Sequence, residues 1–302
     1  MKVLKDYQLP NGNPLEATII NLLCTDLFGI LKCNGSIGHW YSLMRTLADA
    51  DNTVWESEAS IDMKSKKKDP LLVCHKSEFS TPSDMEWTKL FDYVKFGHDA
   101  PLWVSHEENL SDLFSPDVKR VMIVSQDPLR NRGAKGTLLL SSPFGMHCRE
   151  YREKQNITKI IKEIWEKDTK VVFYLTDYNK FYVQDSTSIK LINQSAPNMA
   201  KKFMDILDKE IALFNPHLIV TIGDRSSEKL VQGFKADQRF KLQTYKTVNK
   251  SYNVLPMYHI ANGRVAITRM QKFDAVNNER SGKYRGKWFA WYADEICHHL
   301  QH

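Results

Sequence analysis

The stretch Val118–Arg130, VKRVMIVSQDPLR, begins as an apolar, β-branched run and ends in polar residues. Its continuous apolar part indicates a strand that is buried on both faces of a sheet. In parallel sheets of this kind, ligands bind just beyond the carboxyl ends of the strands. This stretch therefore predicts the fold class and also the region in which a site should lie.

Three more apolar runs repeat the pattern, and helical patterns lie between them. The runs are Lys170–Thr176 (KVVFYLT), His217–Ile222 (HLIVTI) and Tyr252–Met257, and the helical patterns are Ile157–Glu166, Met199–Phe214, Ser226–Gln232 and Trp288–Leu300. Apolar strands that alternate with amphipathic helices are typical of a parallel sheet covered on both faces. We predict an α/β fold, a three-layer α/β/α sandwich around a central, mostly parallel four-stranded sheet.

The first part of the chain has a different pattern. Leu15–Leu31 and Trp40–Ala50 are apolar stretches that indicate buried helices, and neither carries a recognisable motif. We predict two regions: residues 1–115, which are mainly helical and pack on the core, and residues 116–302, which form the α/β/α domain.

The composition is that of an ordinary soluble protein, with 42% hydrophobic and 26% charged residues. No apolar run approaches the ~20 residues that span a bilayer, and the polar start Met1–Pro14 lacks the apolar core of a signal peptide. The five cysteines are scattered and never in CxxC spacing, which predicts a reducing compartment and no disulfide framework or zinc site. We expect a cytoplasmic monomer with no membrane partner and no bound metal.

The net charge of +6 permits an anionic partner, and the distribution of charge is more informative. Between Arg264 and Lys287 the chain has seven basic residues and two acids, an excess of five positive charges. Such a stretch fits a surface that faces phosphates. A solvated basic surface with no ligand is the alternative.

Polar and charged side chains follow each of the four predicted strands. Asp127 follows the first strand and Asp177 the second, Asp224 and Arg225 follow the third, and His259 follows the fourth. Taken singly, such an aspartate is often only a helix N-cap and such a histidine is often structural. Because the strands are parallel, however, all of these residues should meet at one edge of the sheet.

Four segments resemble the uracil-DNA glycosylase superfamily, in that family's order. They are VKRVMIVSQDPLRNRGAKGTLLLSSPFG, KVVFYLTDYNKF, MDILDKEIALFNPHLIVTIGDRSSEKLV and NVLPMYHIANGR, and they cover roughly residues 117–272. The first is similar to the family's water-activating motif, and the other three are similar to segments of its thermostable iron–sulfur branch. The resemblance implies a DNA glycosylase, which releases a base from DNA and leaves an abasic site.

The resemblance also implies roles for individual residues. Asp127 matches the aspartate that orients water and stabilises the sugar cation, and His259 matches the histidine that hydrogen-bonds O2 of the departing base. The implied base pocket consists of Gln126, Pro128, Leu129, Phe144 and Asp177. Phe144 would stack on the flipped base, and the preceding Leu138–Leu140 is the alternative for that position. The residues expected to hold DNA are Arg130, Arg132, Lys180, Arg225, Asn262, Gly263, Arg264, Arg269 and Lys272, of which Gly263 and Arg264 lie where the family's minor-groove wedge loop begins.

This chemistry requires these types of residue. Breaking an N-glycosidic bond leaves positive charge on the sugar and negative charge on the base, so a fixed carboxylate and a hydrogen-bond donor stabilise the transition state electrostatically. The base must also leave the duplex, at a cost of roughly a few kcal/mol, and be read in a pocket.

Two departures from the family bear on the substrate. Leu129 stands where many uracil-specific relatives have a tyrosine that crowds C5 of the pyrimidine, so a C5 substituent gains space. Asp177 replaces the asparagine that reads uracil; its carboxylate can accept from the exocyclic amine of cytosine, and a form protonated by burial could donate to N3. Excision of plain cytosine would destroy a genome, so we predict a C5-modified cytosine, hydroxymethylated or glycosylated as in some phage DNA, and hence an antiphage role.

Several alternatives remain at this point. Asp177 could cap a helix while neighbours read uracil, which would make the protein a uracil-DNA glycosylase of base-excision repair, or the chain could be a non-catalytic DNA-binding relative. A dinucleotide-binding or P-loop enzyme is excluded because the glycine-rich signatures are missing, and a zinc deaminase because its motifs are missing. Phe181 and Phe203 stand where the iron–sulfur branch has cluster cysteines, so we expect no cofactor.

Overall fold

The computed structural model of the protein describes residues 2–3, 7–27, 72–75, 96–106, 112–126, 137–146, 155–183, 197–260, 268 and 288–301. The strands are β1 (Lys2–Val3), β2 (Leu72–His75), β3 (Phe96–Asp99), β4 (Leu102–Ser105), β5 (Lys119–Ser125), β6 (Thr137–Ser141), β7 (Val171–Asp177), β8 (Tyr182–Val183), β9 (Leu218–Ile222), β10 (Gln243–Lys246) and β11 (Ser251–Met257). The α-helices are α1 (Leu15–Leu22), α2 (Asn156–Trp165), α3 (Pro197–Phe214), α4 (Asp224–Leu230) and α5 (Trp288–Gln301). A π-helical turn spans Leu23–Leu27, and 3-10 turns span Pro143–Gly145 and Ala236–Gln238.

Within the described residues, the main sheet has seven strands in the order β1-β4-β7-β5-β9-β11-β10. Its centre is the parallel set β7-β5-β9-β11, which consists of the four predicted strands. The predicted α/β fold with a central, mostly parallel sheet is therefore confirmed. The sheet is wider than predicted because β4, β1 and β10 extend it with antiparallel pairs.

Both faces of this sheet are covered, because successive side chains of a strand point to opposite faces. Met122 and Val124 of β5 pack in one apolar cluster with residues of α1 and α3. Val121 and Ile123 of the same strand pack in a second cluster with residues of α2 and α5. Helices, sheet and helices thus form the three predicted layers.

The helix α2 shows why the pattern folds in this way. Its apolar residues Ile157, Ile160, Ile161 and Ile164 recur at the spacing of one helical face, and all four are buried. That face lies against the sheet and against α5, and the intervening residues are largely polar.

A second, four-stranded sheet has the order β2-β6-β3-β8. It was not predicted, and it leads into the site because only Ser142 separates the end of β6 from the Pro143–Gly145 turn. The described part of residues 1–115 contributes α1, the π-helical turn and the strands β1 to β4, and the division of the chain at residue 115 stays a prediction. Among the described helices, none has both the length and the apolar character that a membrane crossing requires.

Candidate active site

The carboxyl ends of the central strands bring the residues that follow them to one edge of the sheet. The strand β7 ends at Asp177 and β5 at Ser125, and these two residues are direct partners in the parallel register. Gly223 follows β9, and His259 lies two residues beyond the end of β11. Of the predicted site residues, Gln126, Phe144, Asp177, Lys180, Arg225 and His259 lie within the described part of the chain.

Asp177 is buried, with 4% of its surface exposed, and the Ser125 hydroxyl donates a hydrogen bond to its Oδ1 atom. The backbone ladder between the two strands continues past their ends. The N–H of Tyr178 donates to the carbonyl oxygen of Ser125, and the N–H of Asn179 donates to that of Gln126, both at 3.1 Å. The segment after β7 is therefore tied to the residue that precedes Asp127.

The helix-cap interpretation of Asp177 is wrong. The residues after it form bends and then the strand β8, and no helix begins there within the described residues up to 183. An N-cap side chain would accept from a backbone N–H two or three residues later. The N–H of Asn179, two residues later, instead donates to Gln126.

Phe144 lies in the 3-10 turn that follows β6, and this turn contacts β7. Its backbone has φ 59° and ψ 15°, a left-handed conformation that is uncommon for a bulky residue. The half-buried ring packs on the same cluster as Phe173 and Leu175. Because Asp177 is in phase with these two residues along β7, its side chain leaves the sheet on the same face as the Phe144 ring.

His259 is exposed and packs on the backbone of Gly223. A Cβ atom on Gly223 would lie 3.2 Å from Cδ2 and 3.3 Å from Cβ of the histidine. Gly223 has φ 95° and donates its N–H to the carbonyl oxygen of Met257 at 2.9 Å. A side chain at Gly223 would crowd the histidine, a role for this glycine that the sequence did not reveal.

Lys180 requires a correction, because its side chain is not at the surface where it could hold a phosphate. It is 2% exposed, and its Nζ atom contacts Glu210 Oε2 at 2.5 Å and Thr176 Oγ1 at 2.8 Å. Burial raises the pKa of Glu210, and the contact with Lys180 opposes this rise. The Nδ1 atom of the buried His98 donates to the carbonyl oxygen of Lys180 at 2.6 Å. Both the backbone carbonyl and the side chain of Lys180 are therefore bound by buried residues.

Asn179 is a second residue that the sequence analysis missed. It is 6% exposed, and in the described part of the chain its Nδ2 atom has no hydrogen-bond acceptor. A buried amide without a partner costs about 1–3 kcal/mol, and native structures retain few of them. The signal in the sequence was its position two residues after Asp177, in the segment that follows β7.

One further predicted DNA-binding residue, Arg225, lies within the described part of the chain. Arg225 is exposed and lies in the first turn of α4, directly after Asp224. The residues outside the described part, whose roles stay predictions, are Asp127, Pro128, Leu129, Arg130, Arg132, Asn262, Gly263, Arg264, Arg269 and Lys272. Within the described part, the structure has no group of three or more His, Cys, Asp or Glu residues that could hold a metal ion.

One comparison with known proteins gives a match. The family model described as the uracil DNA glycosylase superfamily matches residues 112–279, which is more than half of the chain. Members of this superfamily are DNA glycosylases, hydrolases that bind DNA. A comparison with curated proteins gives no match.

Proposed function

Because this chain belongs to the uracil DNA glycosylase superfamily, we propose that it releases a C5-modified cytosine from DNA by hydrolysing the N-glycosidic bond. Asp127 stabilises the positive charge of the sugar and orients the attacking water. His259 hydrogen-bonds the base as negative charge accumulates on it. Both act as preorganised electrostatic groups, which usually supply the largest catalytic contribution.

The order of the strands supports this pair. Asp127 follows the end of β5, His259 follows the end of β11, and β9 alone lies between these two strands. Adjacent strands are about 4.8 Å apart, so the two chain segments leave the sheet about 10 Å from each other. In this proposal the flipped nucleoside lies across this edge of the sheet, with its base between Asp177, at the end of β7, and His259, beyond the end of β11.

The observation that carries the choice of base is the buried carboxylate of Asp177 on the Ser125 hydroxyl. A carboxylate is suited to accept from the exocyclic amine of cytosine and repels O4 of uracil. Phe144, on the same face of the sheet, is the stacking residue in this proposal. Leu129 in place of a tyrosine leaves space for the C5 substituent.

Asn179 completes the reading of the base edge in this proposal. A carboxylate has no donor for N3 of cytosine, and the amide of Asn179, two residues further on, has a donor without an acceptor in the described part of the chain. Asp177 and Asn179 together would match the donor and acceptor of the cytosine edge. The carboxyl group of Asp177 then need not be protonated.

The biological setting follows from the base. Cytosines with a hydroxymethyl or glycosylated C5 group occur in some phage DNA, so removal of them would create abasic sites in invading DNA and leave the host's cytosines intact. The exposed Arg225 and the basic stretch Arg264–Lys287 would hold the phosphates. The monomeric state and the cytoplasmic location stay predictions.

The test is base release from a panel of duplexes. Each duplex carries one central uracil, cytosine, C5-hydroxymethylcytosine or glucosylated C5-hydroxymethylcytosine, and mass spectrometry identifies the freed base. We expect release of a C5-modified cytosine, with the Asp127→Asn variant as the control that leaves the base in place. Release of uracil alone would refute the choice of base, and equal release by Asp127→Asn would refute the catalytic assignment.

A further inference from the structure

The backbone on both sides of His259 is held by side chains of the helices that cover one face of the sheet. Asn156, the first residue of α2, donates from Nδ2 to the carbonyl oxygen of Ile260 at 2.7 Å. Tyr292 of α5 donates from its hydroxyl to the carbonyl oxygen of Tyr258 at 3.1 Å. The residues before and after the exposed histidine are themselves buried.

An ion pair reaches the same segment from another direction. Arg239 donates from Nε to Asp224 Oδ1 at 2.8 Å and from Nη2 to Oδ2 at 2.5 Å. Its Cζ atom lies 4.6 Å from the centre of the Tyr258 ring, and its side chain is 12% exposed. Asp224 is the residue after Gly223, on which His259 packs. The pair therefore joins the start of α4 to the residue that precedes the histidine.

A two-point contact of this kind fixes orientation more strongly than a single hydrogen bond. A lysine could supply the charge but not the planar fork or the stacking on a ring. The ring of His259 packs beside Gly223, and the course of its own backbone contributes to its position. That course is set by Asn156 and Tyr292 through hydrogen bonds and by Arg239 through Tyr258.

We propose that Asn156 and Arg239 are positioning residues for His259, through the carbonyl group of Ile260 and the ring of Tyr258. The proposal rests on the proposed function, in which His259 meets the departing base. A donor stabilises a transition state only when it is already aimed at the charge that develops. A displacement of about 1 Å by a distant substitution can cost about a hundredfold in rate.

The test compares variants of these two residues with matched controls. Asn156→Asp keeps the shape of the side chain and removes the donor. Arg239→Met keeps an unbranched apolar stem and removes the ion pair, and Arg239→Lys keeps only the charge. The controls are Asn249→Asp and Lys246→Met, which make similar chemical changes at exposed positions near the start of β11, at the opposite end of that strand from His259.

Each variant is measured with and without the histidine, in wild-type and His259→Ala backgrounds. We expect the single-turnover rate of base release to fall by roughly ten- to a hundredfold in the wild-type background, with little change in the Kd for duplex DNA. In the His259→Ala background the same substitutions should cost no further rate, and Arg239→Lys should not restore it. Equal losses in both backgrounds, or no loss in either, would overturn the proposal.

A second readout does not need catalysis. The imidazole NMR signals of His259 are identified by their disappearance in His259→Ala, and they should shift in Asn156→Asp and Arg239→Met but not in the two controls. If the signals shift while the wild-type protein frees no base from any duplex, the proposed function fails and the positioning of the histidine stands. If base is freed but the signals stay unchanged, the positioning proposal fails alone.

Discussion

The hydroxyl of Ser125 donates a hydrogen bond to the Oδ1 atom of Asp177, across the parallel pair of strands β5 and β7. The two residues are register partners at the ends of their strands, so the sheet itself orients the carboxyl group. No ligand is needed to set its direction. A group held in this way can discriminate between bases, because rotation to suit a different base edge would break the bond with Ser125.

Asp177→Asn should shift the preference of the protein toward uracil. An amide can donate to O4 of uracil, whereas the carboxylate repels it, and such a contact is worth about 1–3 kcal/mol of base discrimination. The measurement is the ratio of single-turnover rates on uracil and C5-modified cytosine duplexes. The exposed Asp205→Asn is the control with the same chemical change. An unchanged ratio in Asp177→Asn would contradict the role of Asp177 in reading the base.

Asn179→Leu should slow base release without destabilising the fold. The Nδ2 atom of Asn179 has no acceptor within the described residues, so the substitution removes no hydrogen bond of that atom and relieves a buried polar group. We expect a melting temperature equal to or above that of the wild type, and a lower rate on C5-modified cytosine duplexes. A loss of stability with no change in rate would indicate that Asn179 is only structural.

Gly223→Ala should impair base release more than another glycine substitution with positive φ. Its new Cβ would press on the His259 ring at 3.2 Å, whereas a Cβ added to Gly233, which has φ 67°, would meet no atom within 4 Å. We expect both variants to lose stability, because left-handed backbone disfavours a side chain by about 1–2 kcal/mol. Only Gly223→Ala should reduce the rate further than its stability explains, as measured under single-turnover conditions at a temperature where both variants are folded.

Lys180→Met should destabilise the protein by about 3–5 kcal/mol, because it leaves Glu210 as a buried charge without its cation. The double variant Lys180→Met/Glu210→Gln removes both charges and should recover most of this loss. Urea unfolding measures the free energy of unfolding of the single and the double variant. Affinity for duplex DNA should be unchanged in the double variant, since Lys180 does not reach the surface. Weaker DNA binding at full stability would support the predicted contact between this lysine and DNA.

Stability should fall as the pH drops from about 6.5 to about 4. Desolvation, with the nearby charges of Arg120, Lys119 and Lys250, lowers the pKa of His217 from 6.5 to about 4. Although His217 is exposed as a residue, its Nδ1 atom accepts from the N–H of Arg120 at 2.9 Å, so the folded state favours the neutral ring. The unfolded chain takes up this proton at a higher pH than the folded protein does, which favours unfolding within that window.

The check is the urea midpoint as a function of pH. His217→Asn keeps an acceptor near the N–H of Arg120 and does not titrate, so its midpoint should change less between pH 6.5 and 4. Identical profiles for the two proteins would assign the acid sensitivity to other groups.

The sequence alone determined the central architecture and the edge that carries the site. The four parallel strands are continuous apolar runs because they are buried on both faces. This burial is evident from a run such as VVFYLT alone, before its partner strands are known. The residues after these runs then had to meet at one edge. The family match to residues 112–279 agrees with the four segments that resemble the family in the sequence.

The tertiary structure decided what depends on distant partners. The strand β10 (QTYK) is polar and half exposed, and only its pairing with β11 makes it a strand. Lys180 was predicted to be a surface cation. It is buried because its ammonium group pairs with Glu210 of α3. A side chain at Gly223 would crowd His259, which packs beside it. Burial, pairing and close approach are relations between segments far apart in the chain, and no local pattern contains them.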